Sequence, residues 1–280
     1  MVKELYKLYR PITATPFSCG ETYIEIPPCE TLAPYICCFW GTSKNIKTVA
    51  PNEIQNGVVI PDTCMDIIWE VDFTNNQIGN SFCGIQDISF ISSSKNISVE
   101  VCTFAIRFYA WAVILFADED MKSVLNSFFD TGYYFKDFKY KLESALLNRN
   151  TIAERIEITE KYLLQRINKN RENHNVMNSI YKMLISRGNV SIKELTEYAS
   201  VSPRQLERLF KQVIGTSPKQ FTNLLRYQYL WQDIVCRKYF NVQDAVFKYG
   251  YCDQAHLLND FKSYHTMTPT QAKEYALKSN

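Results

Sequence analysis

The sequence predicts an α+β two-domain fold, in which a β-rich barrel or sandwich with trailing helices precedes an all-α domain. Three observations predict it. Short β-type runs fill the first 115 residues, and helical spacing dominates after residue 118. A helix-turn-helix pattern then occurs twice near the end of the chain, with Phe210 and Phe261 at equivalent positions 51 residues apart. A chain of 280 residues is long enough to bury a hydrophobic core in each domain.

The N-terminal domain, residues 1–150, alternates short apolar runs with Pro, Gly, Asn and Ser. Regular turn signals between such runs predict a sandwich or a small barrel. The predicted strands include Thr22–Ile26, Tyr35–Trp40, Gly57–Ile60, Asp66–Val71, Ile85–Ile91 and Val99–Phe108. Helical spacing at Glu119–Phe129 and Tyr134–Leu147 predicts two helices that follow the strands.

Residues 151–175 are predicted to be a linker helix followed by a polar linker. Ile152, Ile156, Thr159 and Leu163 recur at roughly heptad spacing and form one apolar seam on a charged helix. Two hypotheses account for the seam: it joins two copies of the chain, or it packs on the N-terminal domain of its own chain.

The C-terminal domain, residues 176–280, contains dense helix signals. Ser191-x-x-Glu194 is a capping box, in which each side chain binds a free backbone N–H at the helix start. Ser-Pro or Thr-Pro pairs begin three further helices, at Pro203, Pro218 and Pro269. The second of these helices is long and is predicted to run to about Arg237.

Charge separates the two halves of the chain. Residues 1–175 contain 17 Lys and Arg against 21 Asp and Glu, whereas residues 176–280 contain 14 against 8. The positive charge therefore lies with the repeated pattern, as expected of a nucleic-acid-binding module joined to a module of another kind.

The repeated pattern places polar side chains where a helix-turn-helix contacts DNA. The second helix of such a unit lies in the major groove, where Arg suits guanine and Gln or Asn suits adenine. Helix N-termini at Ser191, Ser217 and Asn241 are candidate phosphate sites. The candidate DNA-binding residues are Arg204, Gln205, Arg208 and Lys211 in the first unit, Lys219 in the long helix, and Gln254, His256, Asn259 and Lys262 in the second unit.

The second copy resembles the closing signature of the AraC/XylS family of bacterial transcription regulators. The resemblance lies in Gly250-Tyr251-Cys252-Asp253-Gln254-Ala255-His256-Leu257, Phe261-Lys262 and Thr268-Pro269. It implies that two helix-turn-helix units, joined by a long helix, enter successive major-groove segments. It assigns base contacts to Arg204 and Arg208 and to Gln254 and His256. At Asn259 the chain departs from the family, in which Arg is common.

Scattered segments of the N-terminal half resemble the cupin-like sensory domain of one branch of this family. They are Tyr9-Arg10-Pro11, Leu32-Ala33-Pro34-Tyr35, Phe39-Trp40, Val59-Ile60-Pro61-Asp62 and Phe104-Ala105-Ile106-Arg107-Phe108. The resemblance implies that this domain senses something. Residues 1–173 contain no histidine, so a conventional cupin metal site is excluded.

An aromatic-rich apolar interior with one or two polar anchors is typical of a small-ligand site. Arg107 lies in an apolar strand and needs a partner, which is either an anionic ligand or a salt bridge to Asp62, Asp66 or Glu70. The candidate ligand-binding residues are Trp40, Trp69, Arg107, Tyr109 and Trp111.

Cysteine spacing and hydropathy indicate where the protein works. Nine cysteines without CxxC spacing predict reduced thiols in a cytoplasm. A redox or soft-metal sensor is a rival hypothesis, based on the vicinal pair Cys37-Cys38 and on Cys64, Cys83 and Cys102. The first ten residues do not have the pattern of a signal peptide. The longest apolar run, Phe104–Ala117, is too short to span a bilayer.

These observations predict a cytoplasmic, sequence-specific DNA-binding regulator with no catalytic residues, metal or cofactor. Its expected partners are double-stranded DNA, a small-molecule effector, a second copy of the chain and, for an activator, RNA polymerase. One alternative is a ligand-independent dimeric regulator. Another is an enzyme fused to a DNA-binding module, for which the sequence offers no catalytic motif.

Overall fold

The computed structural model describes residues 2–12, 14–15, 23–42, 46–47, 56–93 and 100–277. Within these residues, the N-terminal domain forms two antiparallel sheets. The strands are β1 (Ala14–Thr15), β2 (Ile24–Ile26), β3 (Ile36–Gly41), β4 (Ile46–Lys47), β5 (Asn56–Val59), β6 (Cys64–Asp72), β7 (Gln77–Cys83), β8 (Phe90–Ser93), β9 (Glu100–Tyr109) and β10 (Phe128–Asp130).

The larger sheet has the order β10-β7-β6-β9-β3-β2, with β4 beside the start of β9, and the smaller sheet has the order β1-β5-β8. Alternation along β6 gives the larger sheet two different faces. One face presents Trp69 beside Phe104 and is fully buried. The opposite face presents Asp66 directly across from Arg107. The central strands therefore separate an apolar packing face from a polar one.

The helices follow the strands, apart from one at the start of the chain. They are α1 (Val2–Leu8), α2 (Thr131–Tyr134), α3 (Ser144–Leu147), α4 (Ile152–Arg166), α5 (His174–Ile185), α6 (Ile192–Ala199), α7 (Pro203–Val213), α8 (Pro218–Cys236), α9 (Val242–Lys248), α10 (Gln254–His265) and α11 (Pro269–Leu277). A single π-helical turn, Lys139–Glu143, leads into α3. In the part of the chain that the structure describes, no helix has the length and apolar character needed to cross a membrane.

The two-domain α+β fold class is confirmed, with two corrections in the N-terminal domain. The helix predicted at Glu119–Phe129 is wrong, because the backbone there bonds to other segments. The N–H of Met121 donates to the carbonyl of Gln212, and that of Asn126 donates to Ile85. The same contacts displace the strand predicted at Ile85–Ile91, which begins only at Phe90. Tertiary pairing thus overrides local helical spacing.

Smaller differences concern element ends. The predicted helix Tyr134–Leu147 is interrupted after Tyr134 and resumes at Lys139. The ends of two predicted strands, at Thr22 and Val99, lie outside the described residues.

The apolar seam of α4 is covered within one chain. Ile156 is 9% exposed and Leu163 is fully buried. The Tyr162 hydroxyl donates to Asp137 at 2.7 Å, and Nε of Arg166 donates to the carbonyl of Phe116 at 2.6 Å. The seam therefore packs on the N-terminal domain of its own chain, the second of the two hypotheses from the sequence.

A buried glutamine lies where the two domains meet. Nε2 of Gln228 donates to the carbonyls of Ile12, at 2.9 Å, and Pro61, at 2.6 Å, while its Oε1 accepts from the Ile12 N–H at 2.9 Å. The rings of Tyr9 and Tyr229 pack beside it, 5.2 Å apart. The face of α8 that carries Gln228 thus belongs to the interface between the domains, which we call the domain joint.

Candidate nucleic-acid interface and the polar cluster of the N-terminal domain

The first helix-turn-helix unit consists of α6, a tight turn and α7. Ser200 adopts a left-handed backbone conformation, with φ of 53°, which reverses the chain after α6. The Ser202 hydroxyl then caps α7 by accepting from the N–H of Gln205 at 3.2 Å. The inward side of α7 is buried and consists of Leu206, Leu209, Phe210 and Val213.

Burial of that side directs the polar residues of α7 outward. Arg204, Gln205 and Arg208 are exposed, and Lys211 is half-buried. Arg204 and Arg208 lie one turn apart near the helix start, which is the part of a recognition helix that contacts base edges. The structure thus brings the four predicted residues of the first unit together on one helix.

The second unit repeats this arrangement with α9 and α10. Gly250 makes the turn at φ of +67°, where a side chain would collide with Asn189 in the loop between α5 and α6. Asp253 caps α10 by accepting from the N–H of His256 at 2.7 Å. The predicted residues of this unit are all exposed, namely Gln254, His256, Asn259 and Lys262.

The acidic residues of the second unit are bound within the protein. Asp260 accepts from Arg226 at 3.1 Å and from the Tyr251 hydroxyl at 2.7 Å, and the Arg226 guanidinium lies 4.3 Å from the centre of the Tyr251 ring. Burial, followed by the Asp260 charge, raises the pKa of Tyr251. Because Asp253 caps a helix and Asp260 pairs with Arg226, part of the negative charge of each carboxylate is neutralised within the protein.

A cleft of about 410 Å³ lies between the start of the first unit and α8. One wall is the loop between α5 and α6, which ends at the Ser191 cap, and the other is the side of α8 that bears Lys219, Asn223 and Arg226. Lys219 is exposed at the start of α8. Sequence reasoning missed Asn223, although it lies one helical turn after Lys219 and therefore on the same face.

In the N-terminal domain, Arg107 is held by carboxylates. Its Nε donates to Asp66 at 3.0 Å, and its Nη1 lies 3.5 Å from Glu25. Nε1 of Trp40 also donates to Asp66, at 2.9 Å, and the Arg107 guanidinium lies 5.5 Å from the Trp40 ring. Of the two partners inferred from the sequence, the structure shows the salt bridge, with Asp66.

A third carboxyl group, that of Asp62, lies beside Arg107 and Asp66. Burial raises the pKa of Asp62 to about 7, although the Arg107 charge acts in the opposite direction. Asp62 accepts from the N–H of Cys64 at 2.7 Å. It directly follows Pro61, whose carbonyl binds Gln228 in the domain joint. We call Glu25, Trp40, Asp62, Asp66 and Arg107 the polar cluster.

The five candidate ligand residues do not all share one face of the sheet. Tyr109 pairs with Cys64, two positions from the pairing of Arg107 with Asp66, and so lies on the face of the polar cluster. Its ring stacks on Trp111 at 4.7 Å. Trp69 lies on the opposite face, with the Arg155 guanidinium 5.7 Å from its ring. Trp40, Arg107 and Tyr109 are therefore grouped, and Trp69 is not.

The described cysteines of this domain are buried or half-buried. Burial raises the pKa of Cys64 to about 12. The thiol of Cys37, at the irregularity between Ile36 and Cys38 in β3, is hydrogen-bonded with that of Cys64, and both thiols are free. No group of three or more His, Cys, Asp or Glu within the described ranges is arranged to hold a metal ion.

Comparison with known proteins supports both domains. Residues 195–275 match a helix-turn-helix domain family, and residues 24–130 match a domain of unknown function (DUF6597). No curated protein matches the sequence.

Solved structures give weaker matches. The chain is similar to an AraC-type regulator from Chromobacterium violaceum, with 22% identity, a TM-score of 0.35 and coverage of 38% of this chain and 95% of that one. It is similar to ToxT from Vibrio cholerae, with 9% identity, a TM-score of 0.42 and coverage of 83% and 97%. For ToxT bound to an unsaturated fatty acid the identity is 8%, the TM-score 0.42 and the coverage 93% and 98%.

The tandem units, the closing signature at residues 250–269 and the family match at residues 195–275 agree with one another. They show that the C-terminal part of the chain is a helix-turn-helix domain, and its closing signature is similar to that of the AraC/XylS family.

Proposed function

We propose that this protein binds double-stranded DNA at two adjacent major-groove segments, and that its DNA binding changes when a small molecule binds the N-terminal domain. The observation that supports the first part is the pair of capped recognition helices α7 and α10, each with exposed base-binding side chains. Both helices pack on α8, which holds them in one rigid unit.

The length of α8 suits this arrangement. Its 19 residues give a helix about 28 Å long, close to the roughly 34 Å that separate successive major grooves on one side of DNA. A rigid connector of that length allows both units to dock on the same face of a duplex.

Each candidate residue has a role that follows from its chemistry. Arg204 and Arg208 contact guanine, and Gln254 and Asn259 contact adenine. Gln205 and His256 contact neighbouring base edges. The phosphate contacts come from Lys211, Lys219 and Lys262. Of these, Lys219 binds the segment of the DNA backbone that passes the cleft.

The polar cluster is the proposed site of the effector. Its salt bridge between Arg107 and Asp66 is buried. A ligand that adds or replaces a hydrogen bond there therefore changes the conformational free energy of the neighbouring segment that contains Pro61. Because Pro61 binds Gln228 in the domain joint, such a change reaches α8. The effector therefore acts by favouring one placement of the two domains.

We also propose that the protein works in the cytoplasm as a homodimer, and that it contacts RNA polymerase where it activates transcription. The α4 seam is not available for dimerisation, since it is covered within the chain. Operators with two similar half-sites would support the dimer.

Selection from a randomised duplex library with the full-length protein tests DNA recognition. We expect a consensus with two short conserved blocks about one helical turn apart, which anisotropy titrations would bind more tightly than a shuffled duplex. Equal affinity for selected and shuffled duplexes would contradict the proposal. For the effector, fractionated cell extract should shift the melting temperature of the wild-type protein but not of Arg107→Met.

A further inference from the structure

The side chain of Gln254 is already held in place by a neighbour outside its own helix. Its Nε2 donates to Oε1 of Gln243, at 2.7 Å. Gln243 lies at the second position of α9, eleven residues earlier in the chain, and is exposed. A hydrogen bond between two exposed side chains restricts groups that would otherwise be free to rotate.

This bond fixes which way the amide faces without consuming the groups that a base requires. Glutamine has two N–H donors and one carbonyl acceptor. Adenine requires one donor, for its N7, and one acceptor, for its N6 amino group. When one N–H of Gln254 binds Gln243, its second N–H and its carbonyl remain available as the donor and acceptor that adenine needs.

Gln243 is itself anchored at the start of α9. The Asn241 side chain caps this helix by accepting from the N–H of Gln243 at 2.7 Å and from that of Asp244 at 3.2 Å. On the other side, Asp253 caps α10 and fixes the backbone that carries Gln254. Two capped helix starts therefore hold the two glutamines opposite each other.

The first unit has no equivalent restraint. Within the described residues, the side chains of Arg204 and Arg208 make no hydrogen bond or ion pair, so both must be ordered when DNA binds. We propose that Gln243 is a positioning residue: it orients the Gln254 amide for adenine and so determines the base preference of the second unit. This inference rests on the proposed base contact of Gln254.

The expected effect is on discrimination between bases. Without Gln243 the Gln254 amide can turn over, which exchanges its donor and acceptor. One hydrogen bond of about 0.5–1.5 kcal/mol then corresponds to a loss of about two- to thirteenfold in the preference for adenine over the other bases at one position. Because Gln243 need not contact phosphate, the salt dependence of binding should not change.

The test uses the full-length protein and the duplex selected with it, together with duplexes that vary each position in turn. Gln254→Ala first identifies the base pair that the residue contacts. Gln243→Ala should lose preference at the same base pair. Gln243→Glu keeps the acceptor and should keep the preference, although its charge weakens binding to all duplexes. Gln165→Ala, at an exposed position of α4, is the control.

The outcomes separate the two claims. Preference retained in Gln243→Ala would overturn the positioning role, as would Gln243→Glu losing preference to the same extent as Gln243→Ala. If Gln243→Ala lowers the affinity for every duplex equally, Gln243 contacts the DNA backbone, and the positioning role is likewise overturned. If Gln254→Ala changes no base preference, the base contact itself is wrong, and the positioning role fails with it.

Discussion

At the scale of single residues, the sequence shows what kind of partner a side chain requires more readily than which residue supplies it. Arg107 was predicted to need a partner because an isolated charge in an apolar strand is costly. Asp66 was among the candidates, but Glu25 was not, because its proximity depends on the pairing of β2 with β3. The bond between Gln243 and Gln254 was missed for the same reason, since it joins two helices across a turn.

Arg208 and Lys219 should differ in the kind of binding they support. Arg208→Ala should cost about 1–3 kcal/mol on the selected duplex and relax preference at one base pair, because it removes a bidentate contact to guanine. Lys219→Ala should weaken all duplexes alike and lower the salt slope by about one. Anisotropy on selected and shuffled duplexes measures both. A uniform loss in Arg208→Ala would show that Arg208 contacts only phosphate.

His265 should make stability depend on pH. Burial lowers its pKa to about 4, and its ring stacks on Phe261 with its Nδ1 2.8 Å from the Tyr227 hydroxyl. Between pH 6.5 and 4 the unfolded chain binds a proton there that the folded chain does not. The free energy of unfolding should therefore fall as the pH falls through this window, by about 3 kcal/mol from this group.

His265→Phe keeps the stacked ring and removes the titration. Denaturant unfolding at several pH values should therefore show a shallower acid dependence for the variant than for the wild type. Identical slopes for the two proteins would exclude His265 as the cause.

At the scale of elements, local signals predicted helix starts well. The capping box at Ser191 and Glu194 and the caps at Ser202 and Asp253 are all present, because each involves groups within one turn of the chain. Segments whose backbone bonds to distant residues could not be predicted in this way. Residues 119–129 are the clearest example, since their backbone pairs with residues 84–85 and with the end of α7.

The apolar seam of α4 should stabilise the N-terminal domain of its own chain rather than join two chains. Leu163 is fully buried, whereas its neighbour Leu164 is 41% exposed. Leu163→Glu places a charge in the core and should lower the free energy of unfolding by more than 3 kcal/mol, whereas Leu164→Glu should change it by less than about 1 kcal/mol. Thermal melts compare the two. A stable, folded Leu163→Glu monomer obtained from a wild-type dimer would instead make the seam an interface between copies.

At the scale of the whole molecule, the domain joint could not be inferred from the sequence, because Gln228 and Ile12 are 216 residues apart. Gly215 marks a second close approach, since a side chain there would lie 2.4 Å from the carbonyl of Met121. Both contacts involve backbone groups of the N-terminal domain: the N–H and carbonyl of Ile12 and the carbonyl of Pro61 at Gln228, and the carbonyl of Met121 at Gly215.

Loss of Gln228 should loosen this joint. Gln228→Ala leaves the N–H and carbonyl of Ile12 and the carbonyl of Pro61 without their partner, at a cost of about 1–3 kcal/mol. We expect faster protease cleavage within residues 168–173 and two separated unfolding transitions by calorimetry. Asn223→Ala, on the side of α8 that faces the cleft, should leave both unchanged. A Gln228→Ala protein that matches the wild type would show that Gln228 does not hold the domains together.

The central claim is that one chain binds DNA through two helix-turn-helix units that α8 holds at a fixed distance. The most direct test inserts five base pairs, about half a helical turn, between the two conserved blocks of the selected duplex and measures affinity by anisotropy. The account predicts that affinity falls to the level of a duplex that keeps only the block bound by the first unit, because α8 cannot follow the second block to the opposite face. Undiminished affinity for the duplex with the insertion would contradict it.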